Sequence, residues 1–433
     1  MPDSEKPFVE IFKRLTAEEF MEDPTRILSL MMDFGFDSRQ VRMIRTVMTE
    51  DMKEVREFFE CPMGSGYEII GIIAEYCLVS EKALIEILDG IRSSLHGNIK
   101  TEIIEDNEYG RCRRSTDGVA TYSLDMTILY RVTDTDVFTI PNSVTKIERC
   151  AFEFCESLCK VVIPNSVTII GEFAFRGCGL LSEVIIPDSV TKIGSYAFSG
   201  CTHAYFKVGK DNRCYSSYSG ALFDKDGHIL LAGYSLVHNG QCMIPRCVKI
   251  IGRSAFNNCK SLSEVIIPDS VTEIRSWAFD CCYSLCNVVI PDSVTEIDNT
   301  AFRGCTHAYF KVGKDNRCYS SDSGELFDND GHILLAGYSL VHNGKCMIPG
   351  CVKIIGGCAF IGCKSLSEII IPDSVTKIGS LTFCGCSSLC KVVIPDSVTE
   401  IGSWAFYDCD SARFIVDQNN RNYYSQSGKL IKR

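Results

Sequence analysis

The chain has 433 residues, a formal net charge of −11 and 25 cysteines. Up to residue 110 there are 23 Asp plus Glu against 12 Lys plus Arg, so the whole negative excess sits in the first quarter and the remainder balances at 32 against 32. A neutral body behind an acidic head excludes nucleic acid as the natural partner, since phosphates require a basic face, and offers nothing to an anionic membrane surface.

The start, Met1-Pro2-Asp3-Ser4-Glu5-Lys6, lacks the basic and apolar regions of a secretory signal, and no apolar run is long enough to serve as a transmembrane segment. The expected location is therefore the cytoplasm, with the cell surface as the alternative. Residues 1–105 carry apolar side chains at helical intervals, as in Ile27, Leu30, Met31 and Phe34 and again in Leu84, Ile87, Leu88 and Ile91. Asp23-Pro24-Thr25 and Asp37-Ser38 have the chemistry of helix starts. These signals predict an acidic helical domain, a small bundle of four or five helices. Asp33-Phe34-Gly35 spells a kinase metal-binding triplet, but no glycine-rich loop, strand lysine or His-Arg-Asp element accompanies it, so it reads as a helix end.

Over 106–140 the composition turns to Thr, Tyr, Asp and β-branched residues. Ala120-Thr121-Tyr122-Ser123 and Ile128-Leu129-Tyr130-Arg131 predict two strands about a turn at 124–127. This stretch resembles a shortened second half of the spacers described below, and it is expected to cap the first repeat.

From residue 141 one pattern takes over, I-P-x-S-V-T-x-I-G-x-x-A-F-x-x-C-x-x-L-x-x-V-x. Its prolines are Pro141, Pro164, Pro187, Pro245, Pro268, Pro291, Pro349, Pro372 and Pro395, spaced 23, 23, 58, 23, 23, 58, 23 and 23. A fixed period of this size means a solenoid whose units bury their apolar sides only against each other. Proline, which cannot donate to a strand ladder, closes each strand and turns the chain. A small residue follows at position two, Ser in seven coils and Cys247 or Cys351 after a spacer, and its hydroxyl is expected to bond the neighbouring coil. Position eleven is Phe in all nine coils, which predicts one unbroken phenylalanine column and one parallel sheet about 45 Å long at about 4.8 Å per strand. Position fourteen is Cys in all nine: Cys155, Cys178, Cys201, Cys259, Cys282, Cys305, Cys363, Cys386 and Cys409. Stacked buried thiols suit a reduced compartment better than a disulfide framework.

The long intervals hold spacers, about 202–243 and 306–347, whose texts differ only at Tyr218/Asp322, Ala221/Glu325, Lys225/Asn329 and Gln241/Lys345. A partial third spacer occupies 410–433. The unit of duplication is thus a 104-residue block of three coils and a spacer. Within the spacer, Ala221-Leu222-Phe223 and Ile229-Leu230-Leu231 flank Asp224-Lys225-Asp226-Gly227, which predicts a hairpin with a type I′ turn projecting from one edge of the solenoid.

The pattern over about 141–409, with the spacer motif of Phe206, Val208, Asn212, Tyr215 and Ser217, resembles the BspA-like (Treponema pallidum type) leucine-rich repeat family. The resemblance implies a right-handed leucine-rich-repeat solenoid and a role in binding proteins or matrix, often as a surface adhesin. It brings no catalytic residues. The expected fold class is accordingly α+β: a helical domain over 1–105, a cap over 106–140, and over 141–433 a solenoid of nine coils with a parallel β-sheet and β-hairpin insertions.

Candidate binding residues are the strand side chains that leave the core at nineteen and twenty-one residues past each proline. The first set is Lys160, Glu183, Glu264, Asn287, Glu368 and Lys391; the second is Val162, Ile185, Ile266, Val289, Ile370 and Val393. A stripe of Val and Ile edged by charge suits a protein ligand, although β-branched residues also sit there for strand propensity. The spacer histidines His203, His228, His238, His307, His332 and His342 lie near cysteines but match no zinc spacing, and the Asp-x-Asp-Gly turns lack the bidentate Glu of a calcium loop. No metal, cofactor or enzymatic activity is expected. The function expected is a non-enzymatic protein-binding scaffold, with a cell-surface adhesin as the alternative.

Overall fold

The computed structural model describes residues 101–433. The α+β expectation is overturned there: the described residues are strands and turns, and their only helical elements are two 3-10 turns, Tyr234–Leu236 and Tyr338–Leu340. Residues 1–100 of the expected helical bundle lie outside the described residues, and 101–105, expected to be helical, belong to a strand, Thr101–Asp106. The β-branched and alternating text Thr-Glu-Ile-Ile favours extended backbone over the helical reading.

The chain forms two compact units. In the first, of which 101–131 and Ile140–Ile147 are described, Thr101–Asp106 pairs antiparallel with Gly110–Ser115, which pairs with Ala120–Tyr122. The strand Ile128–Val132 then pairs in parallel with Lys146–Ile147. The two strands predicted about the turn at 124–127 are present. Ser123 Oγ accepts the Ile128 N–H at 2.9 Å, the job done by the Asp224 carboxylate for Ile229 at 2.7 Å inside a spacer.

The second unit holds the solenoid. Each coil has a two-residue strand, such as Ile169–Ile170, a run of turns, and a longer strand, such as Glu183–Ile186. Alternation in the longer strand follows from V-x-I: Val184 and Ile186 are fully buried, and Glu183 and Ile185 face out. The turns stay turns because the residue thirteen past each proline, and the residue nine past it in every coil but that of Thr300, takes left-handed backbone, as at Gly177 (φ 78°) and Phe173 (φ 56°). For bulky residues such as Phe173, Tyr196, Trp277 and Trp404 that conformation costs about 1 kcal/mol or more each. It is held by backbone bonds between coils, Phe152 N–H to Ala174 O at 2.7 Å and Gly177 N–H to Ser199 O at 2.8 Å among them.

Two sequence expectations fail together. The phenylalanine column is not unbroken: Phe152, Phe175 and Phe198 stack, Phe256, Phe279 and Phe302 stack, and Phe360, Phe383 and Phe406 stack. Each stack ends on a spacer ring set edge-on, with Phe198 and Phe206 at 4.9 Å and 73° and the same arrangement at Phe302–Phe310 and Phe406–Phe414. The long parallel sheet is likewise three sheets, of four, five and five strands. The break arises because the spacer folds back: Phe206 N–H donates to Gly220 O, at 2.8 Å, where a further coil would otherwise pair.

Nor do the spacers simply project. Tyr215–Tyr218, Ala221–Asp224 and Ile229–Ala232 form an antiparallel meander whose last strand pairs in parallel with Ile250–Ile251 of the next coil. The Asp224–Gly227 turn is not type I′, since only Gly227 (φ 72°) is left-handed there; the type I′ pairs are Ser219-Gly220 and Asn239-Gly240. Asn212 turns the chain into the spacer. Fully buried, it donates to Pro187 O and Val190 O and accepts from the N–H groups of Cys214 and Tyr215. The Tyr215 hydroxyl then caps the short-strand sheet by accepting the Ile193 N–H, as Tyr319 and Tyr423 do for Ile297 and Ile401. At the junction itself, the buried Tyr234 hydroxyl receives the Gly200 N–H at 2.9 Å and faces Asn257 O at 3.1 Å, tying the coils on either side of the spacer. Tyr338 repeats this between Gly304 and Ile361.

The expected hydroxyl column is partly formed: Ser189, Ser293 and Ser397 donate to the coil before them at 2.7 Å, while in Ser270 and Ser374, each one coil past a cysteine at this position, the hydroxyl oxygen is buried without a partner. In the cysteine column, Cys178, Cys201, Cys282, Cys305, Cys386 and Cys409 point their thiols at the phenylalanine carbonyl of the previous coil at 3.0–3.1 Å. All the described cysteines are free thiols.

Candidate functional site

The twelve residues expected on the sheet surface all stand on the outward side of the longer strands, but in three groups. In the first block Lys160 is opposite Glu183, and Ile185 is opposite Lys207 of the spacer strand Tyr205–Val208. In the second, Glu264 is opposite Asn287 and Ile266 opposite Val289; in the third, Glu368 is opposite Lys391 and Ile370 opposite Val393. Val289 and Val393 are half-buried, whereas Val162, Ile185, Ile266 and Ile370 are exposed.

Each face is wider than the repeat pattern suggested, because spacer segments complete it. Gln241–Met243 and Lys345–Met347 pair in parallel with the first coil strand of their blocks, Met243 beside Ile266 and Met347 beside Ile370. At 78% and 80% exposed, these methionines are the most open large apolar side chains described. On the far edge Tyr205, Tyr309 and Arg413 extend the polar track, and Lys207, Lys311 and Ile415 the apolar one. The sequence did carry the signal: Gln241-Cys242-Met243-Ile244-Pro245 has the alternation and closing proline of Glu264-Val265-Ile266-Ile267-Pro268. A surface groove runs beside Met243 and Ile266, bordered by Arg246, Glu264 and Asp269.

Electrostatics differ among the blocks. Lys207 pairs with Glu183 at 2.5 Å in the first, and Gln241 donates to Glu264 at 2.8 Å in the second. In the third, Glu368 is held between Lys391, which donates to it, and Lys345 at 3.4 Å; these bonds, that to Lys391 foremost, lower its carboxyl below the ordinary value.

The opposite, turn-bearing side carries its own ladder, in which Asn257 donates to Asp280 at 2.9 Å and Arg303 clamps the same buried carboxylate at 2.7 Å and 3.2 Å. The Asp280 carboxylate is met from both sides by residues of the neighbouring coils, which makes the ladder a structural tie between coils. The spacer histidines His203 and His307 lie against the carbonyls of Gly179 and Tyr283. No group of three or more His, Cys, Asp or Glu is placed to hold a metal ion among the described residues, and none of their helices is long and apolar enough to cross a membrane.

Residues 125–211, 237–311 and 342–427, more than half the chain, match the model of the BspA type leucine-rich repeat region in six copies. The chain belongs to the BspA-type leucine-rich repeat family. The matched blocks end near the pivots Asn212 and Asn316, so the unmatched gaps are the meanders that divide this BspA-type solenoid. Among solved structures, a leucine rich cell surface protein of Faecalibacterium prausnitzii is 23% identical, over 74% of this chain and 96% of that one, with a TM-score of 0.41. A leucine-rich repeat protein of Eubacterium ventriosum is 19% identical over 70% of each chain, with a TM-score of 0.38. The leucine rich repeat protein of T. pallidum is 18% identical, over 71% of this chain and 89% of that one, with a TM-score of 0.19. No curated protein matches the chain.

Proposed function

We propose that this chain is a non-enzymatic scaffold that binds protein through the outward faces of its three sheets. The observation that carries the reading is the alignment, strand by strand, of an apolar row beside a polar track, exposed Met243 and Ile266 with half-buried Val289 on the second block and exposed Met347 and Ile370 with half-buried Val393 on the third. Aligned apolar side chains left in water, rimmed by polar groups, gain by covering. The family resemblance, which implies protein binding, points the same way.

Photo-crosslinking tests it. A benzoylphenylalanine replacing Ile266 or Ile370 should capture a protein from an extract of the source cells, and the same probe at Tyr407, exposed on the turn side, should not. With the probe at Ile266, replacing Met243, Met347 and Ile370 with Asp should abolish capture. Capture from Tyr407 alone, or capture that survives the three Asp, would sink the reading.

A further inference from the structure

The three faces share one frame but not one chemistry, and the third is the most differentiated. Its polar track reads Lys345, Glu368, Lys391 and Arg413 in register, where the second reads Gln241, Glu264, Asn287 and Tyr309. Its apolar track, Met347, Ile370, Val393 and Ile415, is aliphatic throughout, whereas the second ends in Lys311 and the first in Lys207. Three cations thus face one carboxylate. Glu368 is shared by Lys345 and Lys391, and Arg413 has no ion-pair partner among the described residues. Past the closing turns of the same strands, on the other side of the aliphatic track, stand the exposed Asp373, Asp396 and Asp417. The surface is a cationic row, an aliphatic row and an anionic row, side by side.

That arrangement constrains what can lie on it. Apolar side chains recur at the strand spacing of about 4.8 Å, close to the pitch of about 5.4 Å at which an α-helix presents successive turns of one face. A helix laid across the strands can therefore set one aliphatic side chain against each strand over about three turns. A membrane surface or a nucleic acid would be repelled by the aspartate row, so the mixed rows favour protein. We propose that the third face takes an amphipathic helix of a partner protein, lying across the strands with its carboxylates over Lys345, Lys391 and Arg413 and its cationic side chains over Asp373, Asp396 and Asp417. This rests on the scaffold reading and specifies the partner's chemistry.

The test uses the full chain and two helix-stapled fluorescent peptides of about 15 residues, about four turns. Both carry the same aliphatic stripe; one has Glu on one flank and Lys on the other, and the second has Lys on both. Fluorescence anisotropy should show the mixed-flank peptide binding about tenfold or more tighter, with the preference shrinking at high salt. Lys345→Glu, Lys391→Glu and Arg413→Glu together should remove that preference and strengthen binding of the all-lysine peptide. These side chains are exposed, and circular dichroism and the urea midpoint check that the fold is kept. Lys210→Glu with Lys314→Glu, exposed in the spacers of the other two blocks and outside the three faces, should change nothing. Equal binding of the two peptides, no binding of either, indifference to the triple variant, or binding of phosphatidylserine vesicles through the same three cations would overturn the proposal. If the peptides fail while crosslinking from Ile266 and Ile370 succeeds, the helical partner is wrong and the scaffold reading stands; if both fail, both fall.

Discussion

Replacing Phe279 with Ala should unfold the second block before the third. Phe279 is fully buried at the centre of its stack, with ring centroids 5.1 Å from both Phe256 and Phe302 and planes within 5° and 1°. Removing a buried ring costs about 3–5 kcal/mol, of which each lost stacking pair supplies about 0.5–1.5. The coils on either side cannot close the gap, because their backbones are bonded to each other at fixed spacing, Phe256 N–H to Ala278 O and Phe279 N–H to Ala301 O, each at 2.8 Å. The chain's two tryptophans provide separate reporters: Trp277 lies two residues from the substitution, and Trp404 lies in the third block. Single-tryptophan variants, Trp404→Phe and Trp277→Phe, should each be unfolded in urea with and without Phe279→Ala. With a urea slope of about 1–3 kcal/mol per molar, the Trp277 transition should move down by about 1 M or more. The Trp404 transition should move distinctly less, since the main sheet is broken between the blocks and coupling passes through the junction around Tyr338, as expected when repeats interact only with neighbours. Identical shifts at both tryptophans would refute the division into blocks, and a Trp277 shift below about 0.3 M would refute the stack as a source of stability.

Tyr234→Phe removes only the hydroxyl that joins Gly200 N–H to the next block, and leaving those buried groups unpaired should cost about 1–3 kcal/mol. Calorimetry should show a lower Tm for Tyr234→Phe and none of that loss for Tyr218→Phe, whose ring is exposed; equal values would refute the tie. The thiols should divide by burial: at pH 8 in native protein, Ellman's reagent should reach the exposed Cys159, Cys247, Cys286, Cys351 and Cys390 quickly and the column only after denaturant is added. Burial pushes Cys178 up to about 12 and Cys259 and Cys409 up to about 11. Unfolded thiols lose protons near about pH 8.5, so above that the unfolded chain holds fewer protons than the native one, and stability present below it falls as the pH rises toward 11 and 12. A urea midpoint that stays level between pH 7 and pH 10 would contradict this.

Much of the coil was legible because its information is local. Burial of Val, Ile, Ala, Phe, Cys and Leu at fixed places follows from a 23-residue period with alternation in one strand, and Val184, Phe175, Cys178 and Leu181 sit in the core as that pattern requires. A signal for the tight turns was also present. The residue thirteen past the proline is Gly177, Gly200, Gly304, Gly362, Gly385, Asn258 or Asp408 in seven coils, and all are left-handed. Of the candidate face, the twelve coil residues were identifiable and their outward direction followed from alternation. Met243 and Met347 carried the same alternation and closing proline as a coil strand, a signal outside the 23-residue count, whereas Tyr309 and Arg413 were not legible, because each joins the face only by pairing with a strand outside its own segment. Strand pairing between segments is set by how the chain folds back, which no local period encodes.

The sequence by itself determined the repeat, its inward residues, the family and the 104-residue block. Tertiary structure alone decided that the solenoid is divided into three. Each of the two breaks depends on one ring, Phe206 or Phe310, turning edge-on and on that residue's N–H choosing Gly220 O or Gly324 O over a further coil. Both are choices between contacts of similar local chemistry, settled only when the spacer packs back on the coil. They break one long surface into three short ones, and so let near-identical text carry faces of different charge.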